Sequence, residues 1–145
     1  MSLPPFQPLG LDHVVVLVDD LERARRFYCE VLGCTSGFEY PGIAMTHVWF
    51  GSILIGLWDM SDARAAYARP EVTGGRNVDH LGLAVGPFDL DAMRAHLNVH
   101  GVPIEKELVQ GGARGVGQSV YIRDPFGTRI ELKGPGVYPD GRAVD

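Results

Sequence analysis

Two histidines in this sequence stand in matching surroundings. His13 follows Leu11-Asp12 and opens the run Val14-Val15-Val16-Leu17-Val18, and His80 follows Val78-Asp79 and opens Leu81-Gly82-Leu83-Ala84-Val85. Neutral imidazole is a good ligand for a divalent transition metal. A third candidate ligand, Glu131, lies in Thr128-Arg129-Ile130-Glu131-Leu132-Lys133, where polar and apolar residues alternate. Two imidazoles and one carboxylate, with coordination positions left open, suit Fe(II), Mn(II), Zn(II) or a similar ion. Such an ion polarises a substrate oxygen or lowers the pKa of bound water. Each residue taken singly has a plainer reading. A strand histidine is commonly a hydrogen-bonded core residue, and Glu131 alone reads as a solvated strand residue paired with Arg129 or Lys133. The matched pair, with Glu131 on a polar strand face, favours the metal.

The elements that must position these residues form an internal repeat. The strand from Leu11 to Val18 leads into Asp19-Asp20-Leu21-Glu22, a helix start of the capping-box type. Leu21, Ala24, Phe27, Tyr28, Val31 and Leu32 follow at helical spacing, and Gly33 ends the helix. The strand from Val78 to Val85 leads in the same way to a helix with Leu90, Met93 and Leu97 on one face, closing at Gly101. Each copy then has a short strand, near Thr35–Tyr40 and Ile104–Val109, followed by a hairpin. The first hairpin runs through His47-Val48-Trp49-Phe50, Gly51-Ser52 and Ile53 to Trp58; the second through Ser119 to Arg123, the turn Asp124-Pro125-Phe126-Gly127, and Thr128 to Lys133. The unit is strand–helix–three strands, present twice.

Side chains alternate faces along a strand. Thr128, Ile130 and Leu132 therefore share one face, Arg129, Glu131 and Lys133 the other; Val120 and Ile122 oppose Ser119, Tyr121 and Arg123. With the apolar faces against the helices, the polar face carries Glu131 near its middle. His13 shares a face with Val15 and Leu17, and His80 with Gly82 and Ala84, whose small size leaves room for a ligand. The corresponding first-unit face carries His47, Trp49, Leu54, Gly56 and Trp58. A concave sheet is expected, aromatic at one end and charged at the other.

Totals bound the function. The chain of 145 residues, 46% hydrophobic and 21% charged, suits one globular domain. Its net charge of −5, without a basic cluster, argues against nucleic acid and anionic membranes as partners. No apolar run is long enough to span a bilayer, and the N-terminus does not read as a secretion signal. Two cysteines, Cys29 and Cys34, are too few for a disulfide framework and read as free core thiols. A cytoplasmic protein is expected.

The repeat, the openings Leu11-Asp12-His13 and Val78-Asp79-His80, and the closing segment Val120-Tyr121-Ile122-Arg123-Asp124-Pro125-Phe126-Gly127-Thr128-Arg129-Ile130-Glu131-Leu132 resemble the vicinal oxygen chelate superfamily. That superfamily groups glyoxalase I, fosfomycin-resistance enzymes, methylmalonyl-CoA epimerase, extradiol dioxygenases and bleomycin-resistance proteins. The resemblance spans about residues 9 to 134 and implies Glu131 at a ligand position. Gly56 aligns with Glu131 across the repeat, where the resemblance to glyoxalase I and the epimerase implies a fourth ligand. Glycine supplies none, so three ligands are expected, as in the dioxygenases and fosfomycin enzymes. Tyr121 matches a tyrosine found in both groups. Ser119 fits the fosfomycin pattern, whereas Val15 departs from it. Bleomycin-type binding proteins usually lack the triad.

Other features have plain readings. The stretch Gln110-Gly111-Gly112-Ala113-Arg114-Gly115-Val116-Gly117 precedes a strand rather than a helix, so it lacks the helix N-terminus of a phosphate loop. A lid, with Arg114 able to reach an anionic substrate, and a bare surface loop are equally consistent with it. His96 and His100, four apart on a helix, read as solvated. Ser61–Pro70 suggests a short helix in the crossover, and the Gly- and Pro-rich tail beyond Gly134 an irregular segment.

The expectation is thus an α+β fold of two βαβββ modules, at about 9–60 and 78–134, forming a concave mixed sheet around a metal site. Residues 61–77 form the crossover and 135–145 an irregular tail. His13, His80 and Glu131 hold one Fe, Mn, Zn or Ni ion; Tyr121 is the catalytic hydrogen-bonding residue; Trp49, Trp58, Ser119 and Arg123 bind substrate. The partner is a small molecule, and the assembly a homodimer. The leading expected chemistry is extradiol-type oxygenation, ahead of glyoxalase- or fosfomycin-resistance-like lyase, isomerase or transferase chemistry. A non-catalytic drug- or metabolite-binding protein is the rival class.

Overall fold

The computed structural model describes residues 11, 13–68, 78, 80–112, 114–138 and 140–141. The chain divides into two compact units at about residue 69. In the first, β1 (His13–Val18) is followed by α1 (Leu21–Arg25), β2 (Thr35–Tyr40), β3 (Met45–Phe50) and β4 (Ile53–Asp59). In the second, β5 (Leu81–Ala84) is followed by α2 (Leu90–Val99), β6 (Lys106–Gln110), β7 (Val116–Arg123) and β8 (Arg129–Val137). Each unit closes its own four-stranded sheet, in the orders β1-β4-β3-β2 and β5-β8-β7-β6. The pairs β1–β4 and β5–β8 are parallel and the remaining neighbours antiparallel. The βαβββ repeat expected from the sequence is the architecture observed.

The local causes follow the sequence with corrections. Asp20 caps α1, its carboxylate accepting from the Arg23 amide at 2.9 Å. Arg23 rather than a glutamate occupies the third helical position, so the reciprocal half of the capping box is missing. The helix widens into a π-helical stretch over Arg26–Val31. It ends before Gly33, whose φ of +74° is open to glycine at little cost. β5 has four residues against six in β1, which leaves His80 just ahead of its strand. Asp12, Asp79 and residues 69–77 of the crossover lie outside the described residues; Ala63–Ala68 forms a 3-10 turn.

β8 corrects the expected tail, running through Gly134, Pro135 and Gly136 to Val137. A side chain at Gly134 would strike the Phe88 ring, and one at Gly136 the backbone of Val116. The glycines that suggest irregular chain instead permit close strand contact, with Val116 opposite Val137 and Gly117 opposite Gly136.

Strand parity holds. Val120, Ile122, Ile130, Leu132 and Leu83 are buried, as is Leu97 of α2. In the first unit the core includes Val16, Val18, Ile55 and Leu57 with Ala24, Phe27 and Tyr28. Each fully buried aliphatic side chain contributes about 1.5–3 kcal/mol. The β7–β8 turn is fixed by buried Asp124, whose Oδ1 accepts from the amides of Phe126 at 2.9 Å and Thr128 at 2.7 Å.

Candidate metal centre

The register of the second sheet assembles the polar face. Glu131, in β8, lies opposite Tyr121 of β7 on one side and Gly82 of β5 on the other. Its side chain is 7% exposed. Burying a carboxylate is costly unless its oxygens find donors, and here both do. Ser119 Oγ donates to Oε1 at 2.7 Å, and the Tyr121 hydroxyl donates to Oε2 at 3.0 Å. His80 Nε2 lies 3.2 Å from the same Oε2, and the His80 and Tyr121 rings meet edge to face at 5.2 Å.

These donors fit a divalent ion. Two ligand atoms each about 2.1 Å from one metal, at tetrahedral or octahedral angles, stand about 3.0–3.4 Å apart, and His80 Nε2 and Glu131 Oε2 meet that spacing. The carboxylate is already oriented by two hydroxyl groups, which is how outer residues support metal ligands. Space is also left. A Cβ built on Gly82 would touch only Glu131 Oε2, at 3.9 Å. Among the described residues, no three His, Cys, Asp or Glu side chains form a ligand group. His13 opens β1 opposite Leu54, but its side chain lies outside what is described.

The remaining candidates separate. Ser119 and Tyr121 stand at Glu131. Arg123 is engaged in the turn, ion-paired to Glu105 and donating to the Gly127 carbonyl at 2.9 Å. Trp49 and Trp58 belong to the first unit; Trp58 donates its indole N–H to the Ile43 carbonyl at 2.7 Å, and Trp49 meets Phe38 edge to face. Gly56 lies opposite His47, as Glu131 lies opposite Tyr121. A Cβ at Gly56 would come within 3.1 Å of Val15 Cγ2, 3.3 Å of His47 Nε2 and 3.4 Å of Met45 Sδ. The position is closed as well as ligand-free.

One residue of this face had not been singled out. Lys133 is buried and lines a cleft of about 110 Å³ with Gly82, Ala84, Gly111, Gly112, Arg114 and Glu131. Its signal was in the alternation, two positions from Glu131 on the same face.

Comparison with known proteins agrees with the βαβββ fold. The profile of the Glyoxalase/Bleomycin resistance protein/Dioxygenase superfamily matches residues 10–132, and the chain belongs to that superfamily. It is 29% identical over 126 residues to the uncharacterized protein YaeR of Escherichia coli strain K12, covering 83% of this chain and 92% of that protein. The crystal structure of virulence protein STM3117 from Salmonella typhimurium superposes with a TM-score of 0.67 at 26% identity, covering 88% of this chain and 97% of that one. That of lactoylglutathione lyase from Agrobacterium tumefaciens superposes with a TM-score of 0.61 at 25% identity, covering 87% and 93%.

Proposed function

We propose that this chain is a metal-dependent enzyme in which His80 and Glu131, with His13 as third ligand, hold one divalent ion and receive a small molecule through two adjacent oxygens. The observation that carries the reading is the Glu131 carboxylate, buried, anchored by Ser119 and Tyr121, and 3.2 Å from His80 Nε2. When bound, the ion serves as a Lewis acid that stabilises negative charge developing on substrate oxygen.

The chain's own groups do the rest. Ser119 holds one carboxylate oxygen, so Glu131 keeps a single orientation. Tyr121, at the other oxygen and beside the His80 ring, supplies the hydroxyl that hydrogen-bonds a substrate oxygen. Gly82 and Ala84 keep the face in front of Glu131 free of bulk.

The reaction favoured is ring-cleaving oxygenation. A His/His/carboxylate set leaves positions for both adjacent oxygens and for dioxygen, and Gly56 supplies no additional ligand. Glyoxalase-like isomerisation is the second reading, supported by the likeness to lactoylglutathione lyase.

The first test is metal retention. Wild type reloaded in turn with Fe, Mn, Zn and Ni should keep about one ion per chain, and His80→Ala and Glu131→Ala should lose most of it. Retention of none of the four ends the reading. Anaerobic addition of catechols, then dioxygen, should give uptake with ring opening. Turnover of 2-oxoaldehyde–thiol adducts instead selects the second reading.

A further inference from the structure

We propose that Lys133 and Arg114 form an anion-binding subsite beside Glu131, which takes a carboxylate or phosphoryl group of the ligand. Lys133 is 7% exposed, and its ammonium donates to the Gly134 carbonyl at 3.1 Å. Among the described residues no carboxylate lies within ion-pairing distance of it. That is unusual, because a buried ammonium normally has an opposite charge beside it. Even the half-exposed Arg25 of the first unit is paired, with the Glu39 carboxylate and the Thr46 hydroxyl.

The surroundings complete the subsite. Gly112 packs on the lysine stem, where a Cβ would lie 3.3 Å from Lys133 Cε. The same glycine-rich loop carries Arg114, exposed, to the rim of the cleft. One wall thus offers a buried ammonium, a guanidinium suited to bidentate contact with an oxyanion, and bare glycine backbone. Glu131 lines the same cleft two positions along β8, so a molecule whose anionic group sits on Lys133 can also reach the Glu131 carboxylate. A cation held by Glu131 would add to the attraction.

Assigning that anion to the substrate rests on the metal reading; the subsite itself does not. The test titrates the metal-stripped full chain with inorganic phosphate, methylphosphonate and acetate in a calorimeter, and measures metal retention separately. Wild type should bind at least one probe saturably. Lys133→Met should weaken binding by about tenfold or more, as expected for losing a charged hydrogen-bond partner, with metal retention unchanged. Arg114→Ser, on an exposed residue that leaves the core intact, should weaken it about threefold or more. Preference for acetate or for the phosphorus acids names the oxyacid, and either preference supports the subsite. No saturable binding in wild type overturns the proposal, as does unchanged affinity in Lys133→Met. If that variant does not fold, unchanged affinity in Arg114→Ser overturns it. Anion binding without metal retention leaves this subsite standing and removes the metal reading alone.

Discussion

The two repeats share strand order and register yet differ on one face of their sheets. Where the second places Ser119, Tyr121, Glu131 and Lys133, the first places Met45, His47, Gly56 and Trp58 at the same ladder positions. Where the first has Val15 on the strand beside Gly56, the second has Gly82 beside Glu131. Each unit therefore pairs one glycine with one larger residue, but on exchanged strands. In the first the space is filled by Val15, His47 and Met45; in the second it is left to a carboxylate. One backbone plan thus serves a face on which the glycine is crowded by its neighbours and one on which the glycine leaves room beside a carboxylate. Side-chain size at one pair of opposed positions decides which.

Four substitutions test this contrast, in descending order of effect. Ser119→Ala and Met45→Ala alter equivalent positions. The first should lower metal affinity about ten- to a hundredfold, because Ser119 holds the carboxylate proposed as a ligand. The second should chiefly destabilise, by about 2–5 kcal/mol, as expected for emptying a buried methionine site. Competition titration and denaturant unfolding read the two effects, and equal loss of stability without loss of affinity in both would undo the contrast.

Gly56→Glu should lower stability by about 1–3 kcal/mol through overpacking, and Val15→Gly in the same chain should restore part of it. A melting temperature unchanged by Gly56→Glu would show that the first face is not filled.

The smallest effect concerns Cys34. Burial pushes its thiol up to about 12. The folded state keeps this proton more tightly than the unfolded, so its contribution is fully present below the ordinary thiol range and fades as pH rises towards about 12. At neutral pH, alkylation should reach Cys29 first and Cys34 only on unfolding. Equal rates in the native protein would contradict that burial.

The repeat, the order of elements and the face of Glu131 were legible because periodicity reports which residues share a face. Val120, Ile122, Ile130 and Leu132 are buried as their spacing requires, and the Asp-Pro-Phe-Gly turn contains its own hydrogen-bonding carboxylate. The ends of β5 and β8 were not legible. Val78 to Val85 alternates like a strand, but pattern does not record which backbone groups find partners, and pairing begins only at Leu81. Gly134, Pro135 and Gly136 resemble a break, although the two glycines, lacking side chains, admit Phe88 and Val116. Arg123 looked free to meet a ligand because alternation does not record ion pairs between neighbouring segments, and its partner Glu105, expected within the short strand near Ile104–Val109, lies just ahead of β6. Lys133 looked like an ordinary surface cation, since alternation names a face without saying how deeply a residue on it is buried.

Both tryptophans, Trp49 and Trp58, sit in the first repeat, the latter with its indole N–H bound to the Ile43 carbonyl. The molecule thus carries indole fluorophores on one repeat and none on the other. An unfolding curve followed by indole emission records loss of the first sheet, whereas far-UV ellipticity records both. Coincidence of the two curves is the signature of a single cooperative transition. A separation between them measures directly the stability of the repeat that bears Glu131.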